Sequence, residues 1–225
     1  MLEYARPELV EFLETVRKTG NEYWARHKPE SLEDFRARGV GGSTWDENTR
    51  WMARFADRDI DALERQHGVD FPADYRAFLA ILGGTDRPAL RYGFEGAALK
   101  YQGKRYVFPD WLDDAVLTKP FNSVLEDLLF DVEKNNIWLD SWGARPDTPD
   151  DRRRIVAGLM DRAPKVIPVH GHRFMVAGAE QSPAPVLSGV QSDFILYASS
   201  IEDVLIRDFP DLCGGRSPRQ DDANC

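Results

Sequence analysis

Cysteine is almost missing from this chain: only Cys213 and Cys225 occur in 225 residues, both in the polar terminal stretch CGGRSPRQDDANC. Two thiols so placed do not frame a disulfide scaffold, and they are expected to stay reduced in a mobile tail. Long apolar runs are lacking too. None approaches the ~20 residues that span a bilayer, and the opening MLEYARPELVEFLE carries acids within its apolar pattern, unlike a secretory leader. A cytoplasmic protein without membrane contact is the expectation. Positive charge is short: 29 Lys and Arg face 38 Asp and Glu, for a net charge of −9. That balance argues against direct nucleic-acid binding, which draws its affinity from clustered basic side chains. Phosphate loops are absent as well. The glycines of Arg38-Gly39-Val40-Gly41-Gly42-Ser43 fit neither G-x-x-x-x-G-K-[ST] nor G-x-G-x-x-G and read as a flexible connection. No internal repeat is visible, and no cofactor is expected.

What is present centres on Asp59 to Thr85, DIDALERQHGVDFPADYRAFLAILGGT. Ile60 and Leu63 give a short helix an apolar face, with Asp57 or Asp59 as its N-cap and Gly68 closing it. Pro72 suits the first turn of a second helix, in which Tyr75, Phe78, Leu79 and Leu82 fall at i, i+3, i+4 and i+7. Gly83 and Gly84 end it, since glycine takes the positive φ of a helix C-cap without a Cβ penalty. Such a helical pair needs a partner surface.

Upstream, Pro7 opens a helix whose face is Leu9, Val10, Phe12, Leu13 and Val16, and Gly20-Asn21 is expected to stop it. Tyr23, Trp24, Leu32 and Phe35 then mark a second helical region. Downstream, Leu90, Tyr92 and Phe94 alternate as in a strand, with Gln102-Gly103-Lys104 as a candidate hairpin turn. Ser123 to Glu126 has capping-box spacing ahead of the stripe Leu125, Leu128, Leu129 and Val132. Thr148-Pro149-Asp150-Asp151 repeats that device ahead of Ile155, Leu159 and Met160, which makes its acids a helix start rather than a metal loop. Short strands follow at 165–169, 173–176, 186–190 and 194–197. Ser199 to Glu202 caps a last helix that Pro210 ends. Helices first, then strands framed by helices, imply an α+β domain.

Several of these blocks resemble the SUKH superfamily, which unites fungal cell-wall-synthesis regulators with bacterial immunity proteins. Leu63, Glu64, Gly68, Phe71-Pro72, Asp74-Tyr75, Phe78-Leu79 and Gly83-Gly84 are similar to its opening signature, although Asn often stands where this chain has Gly83. Trp142-Gly143-Ala144-Arg145-Pro146, Ala163 to Val169 with Pro168, His172-Arg173-Phe174, Pro185-Val186, and Ser192-Asp193 with Ile195 and Tyr197 follow in the order of a bacterial subgroup. The resemblance implies a single SUKH-like α+β domain over 58–212, a mixed and mostly antiparallel sheet with helices packed around it. A helical layer over 1–57 precedes that domain, and the flexible polar tail over 213–225 follows. It also implies a protein-binding role without catalysis.

Charge adds a candidate surface. Between Phe108 and Asp151 eleven acids face Lys119, Lys134 and Arg145, so the segment carries −8 of the −9. A concentrated negative field speeds encounter with a basic partner. Asp110, Asp113, Asp114, Asp131, Glu133 and Asp140 are therefore the candidate contacts for a basic toxin domain, a nuclease among the possibilities, with Trp138 as an aromatic anchor. Trp138, Trp142 and Arg145 read equally well as packing residues. The second binding reading is a regulator or scaffold of the fungal type. The enzymatic alternative is a metal-dependent hydrolase using His170 and His172, which at i and i+2 of a strand would share one face, although a metal site needs a third ligand that the sequence does not supply.

Overall fold

The N-terminal helices are layered onto the rest of the chain by one shared core. In the computed structural model, which describes residues 5–52, 55–113, 118–190 and 192–216 (118–123 by backbone alone), α1 spans Pro7–Arg26 with Pro7 in its first turn. Its face of Leu9, Phe12, Leu13, Val16 and Trp24 is buried. The stop expected at Gly20-Asn21 does not occur. Gly20 instead lies under the Trp51 indole, where an added Cβ would come within 2.6 Å of Nε1, and Asn21 Oδ1 accepts from the Trp51 backbone N–H at 2.9 Å. A tertiary contact thus uses two residues that local rules read as a terminator, and Tyr23 and Trp24 belong to α1. A separate α2, Leu32–Arg38, buries Phe35 and is capped by Ser31, which exchanges hydrogen bonds with Asp34. The glycine-rich connection holds strand β1, Gly42–Thr44.

Next come α3, Asp57–His67, and α4, Ala73–Ile81. In α3 the cap position is Ala56, and Asp59 acts from inside the first turn by accepting from the Ala56 N–H at 3.0 Å. Pro72 is the N-cap of α4 rather than part of its first turn. The predicted stripe is buried in full: Tyr75, Phe78, Leu79 and Leu82 are at most 1% exposed. Gly83 follows at φ 60°, the left-handed geometry expected of it.

Strands β2, Ala89–Glu95, and β3, Ala98–Arg105, pair antiparallel, and β1 joins the free edge of β2. The hairpin turn is Gly96-Ala97, with Glu95 opposite Ala98. Gln102-Gly103-Lys104 lies inside β3, where the register shifts between Leu90 and Tyr92 on the facing strand. The extra residue that the sequence shows as a turn is therefore a bulge.

Helix α5 runs Thr118–Lys134, so Ser123 falls within it and the capping-box spacing does not mark its start. Leu125, Leu129 and Val132 pack with Val156 of α6, Pro149–Met160, into a small second cluster, while Ile155, Leu159 and Met160 stay half-buried. Thr148 caps α6 as expected, accepting from the Asp151 N–H at 3.2 Å. The last strands are β4, Val166–His170, β5, Arg173–Val176, β6, Val186–Val190, and β7, Asp193–Ala198. They form a four-stranded antiparallel sheet in the order β4-β5-β6-β7. Helix α7, Ile201–Asp208, is capped by Ser200 and ends ahead of a 3-10 turn, Pro210–Cys213.

Among the described residues the chain is an α+β protein with seven α-helices and two separate antiparallel sheets. This corrects the single mixed sheet expected from the resemblance. The strands before α5 and those after α6 pair only with their own group, since hairpin neighbours close each sheet locally. A second correction concerns Cys213. The 3-10 turn packs on α1, where Thr19 donates its hydroxyl to the Leu212 carbonyl at 2.5 Å. Cys213 is packed there at 1% exposure rather than in a free tail, and burial pushes its thiol up to about 12, which disfavours the thiolate. Cys225 lies outside the described residues. No described helix is long and apolar enough to cross a membrane.

Candidate functional site

The motif residues prove to be joints of the fold. Tyr75 of α4 donates its hydroxyl to the Pro168 carbonyl at 2.8 Å and accepts from Trp111 Nε1 at 2.9 Å, which ties the opening block to β4. Burial pushes its phenol far above the usual value. Phe78, Gly83 and Gly84 are buried beside it. The Trp138 to Pro146 segment closes the α5–α6 pair. Trp138 Nε1 donates to the Gly143 carbonyl at 2.8 Å, the Trp138 and Trp142 rings meet edge-on at 5.3 Å, and Arg145 holds the Val132 carbonyl at 2.6 Å and the Asn136 side chain. The Pro146 carbonyl accepts from Arg152 at 2.9 Å. Trp138 is thus half-buried with its indole N–H engaged, a packing residue rather than a free anchor.

The acidic face does not assemble as the charge count suggested. That count stopped at Asp151, one residue before Arg152, Arg153 and Arg154, and α6 turns the first two of these back onto α5. Arg152 grips Glu133 with both forks, at 2.6 and 2.7 Å, Arg153 pairs with Glu126 at 2.6 Å, and Arg154 pairs with Asp151. The Arg152 and Arg153 hydrogen bonds hold the Glu133 and Glu126 carboxyls below their ordinary values. Asp131 is only 3% exposed. It accepts from the Ser192 hydroxyl at 2.5 Å, the Ser192 N–H at 3.1 Å and Asn135 Nδ2 at 2.6 Å, which holds its carboxyl low and pins α5 to the β6–β7 turn. Asp110 is half-buried and accepts from the Leu112 N–H at 3.2 Å; Asp113 and Asp140 are exposed; Asp114 lies outside the described residues. We expect Asp131→Ala to free the α5 C-terminus, read as faster hydrogen exchange of α5 and 187–196 amides while α4 keeps its protection. Unchanged exchange in both segments would count against that tether.

Nor do the histidines share a strand face. His170 ends β4, and Gly171-His172 form the tight turn into β5. His170 is nearly buried, edge-on to Phe209 at 4.8 Å, with Nε2 at 2.8 Å from Asp208 Oδ2 but off the line of its N–H. His172 is exposed, and partial burial together with Arg173 and His170 lowers its pKa. Arg173 donates to the Ser188 hydroxyl at 2.8 Å and lies over the Tyr197 ring at 3.6 Å, and the Tyr197 hydroxyl donates to Asp208. Among the described residues no group of three His, Cys, Asp or Glu side chains is placed to hold a metal ion.

What the geometry does present is an apolar edge. Among the described residues, sheet order leaves β7 with β6 on one side and no strand on the other. Asp193 opens it exposed, and Phe194, Ile195 and Leu196 are 39%, 54% and 52% exposed, with Val190 at 55% just before the turn. Alternation along the strand puts Ile195 on one face and Phe194 and Leu196 on the other. Phe194 is seated over Gly189 and near Phe174, 6.3 Å between ring centres, so the patch is ordered rather than splayed.

No family model, curated protein or solved structure matches this chain.

Sequence reasoning missed that edge because Phe194-Ile195-Leu196-Tyr197 is a continuous apolar run, the pattern of a strand covered on both faces. It also missed a cleft of about 920 Å³ between the N-terminal layer and the β4–β5 turn. Its walls come from the end of α1, from β1 and β2, from the end of β3, and from the α7 C-terminus. Residues so far apart in sequence leave no local signature.

Proposed function

We infer that this chain is a non-enzymatic protein-binding module, an immunity protein by its resemblance, that seats its partner along β7. The exposed Phe194-Ile195-Leu196 edge carries the reading. An unpaired row of backbone N–H and C=O groups flanked by large apolar side chains is a template for an added strand, and soluble proteins otherwise blunt such edges with charge or proline. Exposed apolar patches of this kind mark interaction surfaces. The partner's chemistry follows from the whole-molecule charge of −9, which attracts a basic protein at long range even though α6 neutralises the nearest acids. A basic toxin domain, occluded by an extended segment of its own laid against β7, fits both features. No chemistry is required of the binder.

The test begins with a toxic partner whose growth arrest this chain relieves when the two are co-expressed. Ile195→Lys and Leu196→Asp are expected to weaken that complex by about ten-fold or more, mainly through faster dissociation, and to abolish the rescue. Variants that bind and rescue as the wild type does would overturn the β7 assignment. Wild-type chain that pairs with itself through β7 and fails to bind the toxin would overturn the reading as a whole.

A further inference from the structure

The cleft between the N-terminal layer and the β4–β5 turn carries charge of the opposite sign to the chain around it. Lys28, Arg38, Arg91, Arg105, Arg173 and Arg207 line it. Only Glu30, Asp208 and Asp211 face them as acids. Arg38 is paired with Glu30 at 2.8 Å and Arg173 approaches Asp208 at 3.5 Å. Lys28 and Arg105 are exposed and have no ion-pair partner among the described residues. In a chain of net −9, a concave surface with an excess of cations is a local reversal of field, and a low-dielectric wall focuses that field on an anion.

A second observation is independent of charge. Eight buried side-chain polar atoms among the described residues lack a hydrogen-bond partner, and five of these belong to residues that line this one cleft: Trp24 Nε1, Trp45 Nε1, His170 Nε2, Arg173 Nε and Asp208 Oδ2. Buried polar groups are ordinarily bonded, because an unmade bond costs the full desolvation of the group. His170 Nε2 and Arg173 Nε lie 2.8 and 3.5 Å from Asp208 Oδ2 and so answer one another, which leaves two indole donors, Trp24 Nε1 and Trp45 Nε1, without a partner in residues of the cleft wall. The third observation is apolar. Phe94 and Tyr106 on the same walls are 52% and 41% exposed, with Tyr92 half-buried between the sheet and Phe35. Their rings offer flat surface for stacking.

We propose that the cleft binds a mononucleotide-class ligand, a phosphate ester carried on a planar ring, with the phosphate toward Lys28 and Arg105 and the ring against the exposed aromatics. The size agrees, since small-molecule sites enclose about 300 to 1,000 Å³. Arginine forks suit phosphate oxygens. Neither the β7 edge nor its partner takes part, so the site stands whether or not that surface binds protein.

Trp24 and Trp45 make the test direct, because a ligand in the cleft changes their fluorescence. The full chain is titrated with AMP, adenosine, inorganic phosphate and a short oligothymidylate. AMP is expected to give a saturable change below about 1 mM. Adenosine and phosphate alone should each bind at least about ten-fold more weakly, and Arg105→Glu should weaken AMP by about ten-fold without moving the melting temperature. Ile195→Lys should leave AMP binding as it was. The proposal fails if AMP shows no saturation, if phosphate alone binds as well, if Arg105→Glu has no effect, or if the oligothymidylate binds more tightly than AMP. That last result would make the cleft a single-strand groove.

Discussion

Replacing Asp74 with alanine is expected to lower the melting temperature by roughly 10 °C, or about 3–5 kcal/mol of stability. Asp74 sits in the first turn of α4, where the helix dipole favours a carboxylate, yet it is 1% exposed. Its oxygens accept from the buried Ala184 N–H at 3.1 Å and the Ser182 hydroxyl at 3.0 Å, and lie 3.5 Å from Arg6. Arg6 in turn holds Glu202 of α7 at 2.6 Å. One side chain therefore joins the start of α1, α4, the segment before β6 and α7. Removing it takes the acceptor from a buried backbone donor and leaves a half-buried guanidinium with one carboxylate fewer. Asp74→Asn separates charge from hydrogen bonding, since it keeps one acceptor oxygen. Thermal melts of both variants check this, and an alanine variant within about 2 °C of the wild type would show that the Arg6–Asp74 junction does not hold the layers together.

The same junction shows how far the fold could be read from residues alone. Wherever burial and local period agree, the sequence reading is close: the α4 stripe, the Thr148 cap, and strands β5 and β6 fall on the expected residues. It errs where a residue with a strong local meaning is used for a distant contact. Gly20 is a slot for Trp51, Gly103 sits in a bulge, and Ser123 lies in mid-helix. The strand run after Ala163 was legible, but not its separation from β1–β3, because pairing between strands is non-local. The candidate site was least legible. Summed charge along a segment ignores pairing in space, and so Glu126 and Glu133 counted as free acids while Arg152 and Arg153 went uncounted. The cleft draws Lys28, Arg105 and Arg207 from three distant parts of the chain, and no window of sequence contains them together.

Asp208→Ala should remove about 3 kcal/mol at neutral pH, and that loss should shrink in acid. The side chain is 17% exposed at the end of α7. Burial alone would raise its carboxyl, but His170, the Tyr197 hydroxyl and Arg173 outweigh burial and hold it below the ordinary value. A depressed carboxyl binds its proton more weakly when folded than when unfolded. Its contribution is therefore complete above the unfolded value of about 4 and disappears as pH falls through the lower folded value. Urea unfolding of wild type and variant at pH 7, and again in steps below about 4, measures the difference between them, in which titrating groups out of contact with Asp208 cancel. A gap that narrows only below that pH supports the ionised cluster. A gap of the same size throughout would mean that Asp208 acts by packing alone, with its partners indifferent to its charge. Because His170, Arg173 and Asp208 also line the basic cleft, loss of the carboxylate leaves the cleft more cationic, so the variant should hold inorganic phosphate more tightly even as it loses stability.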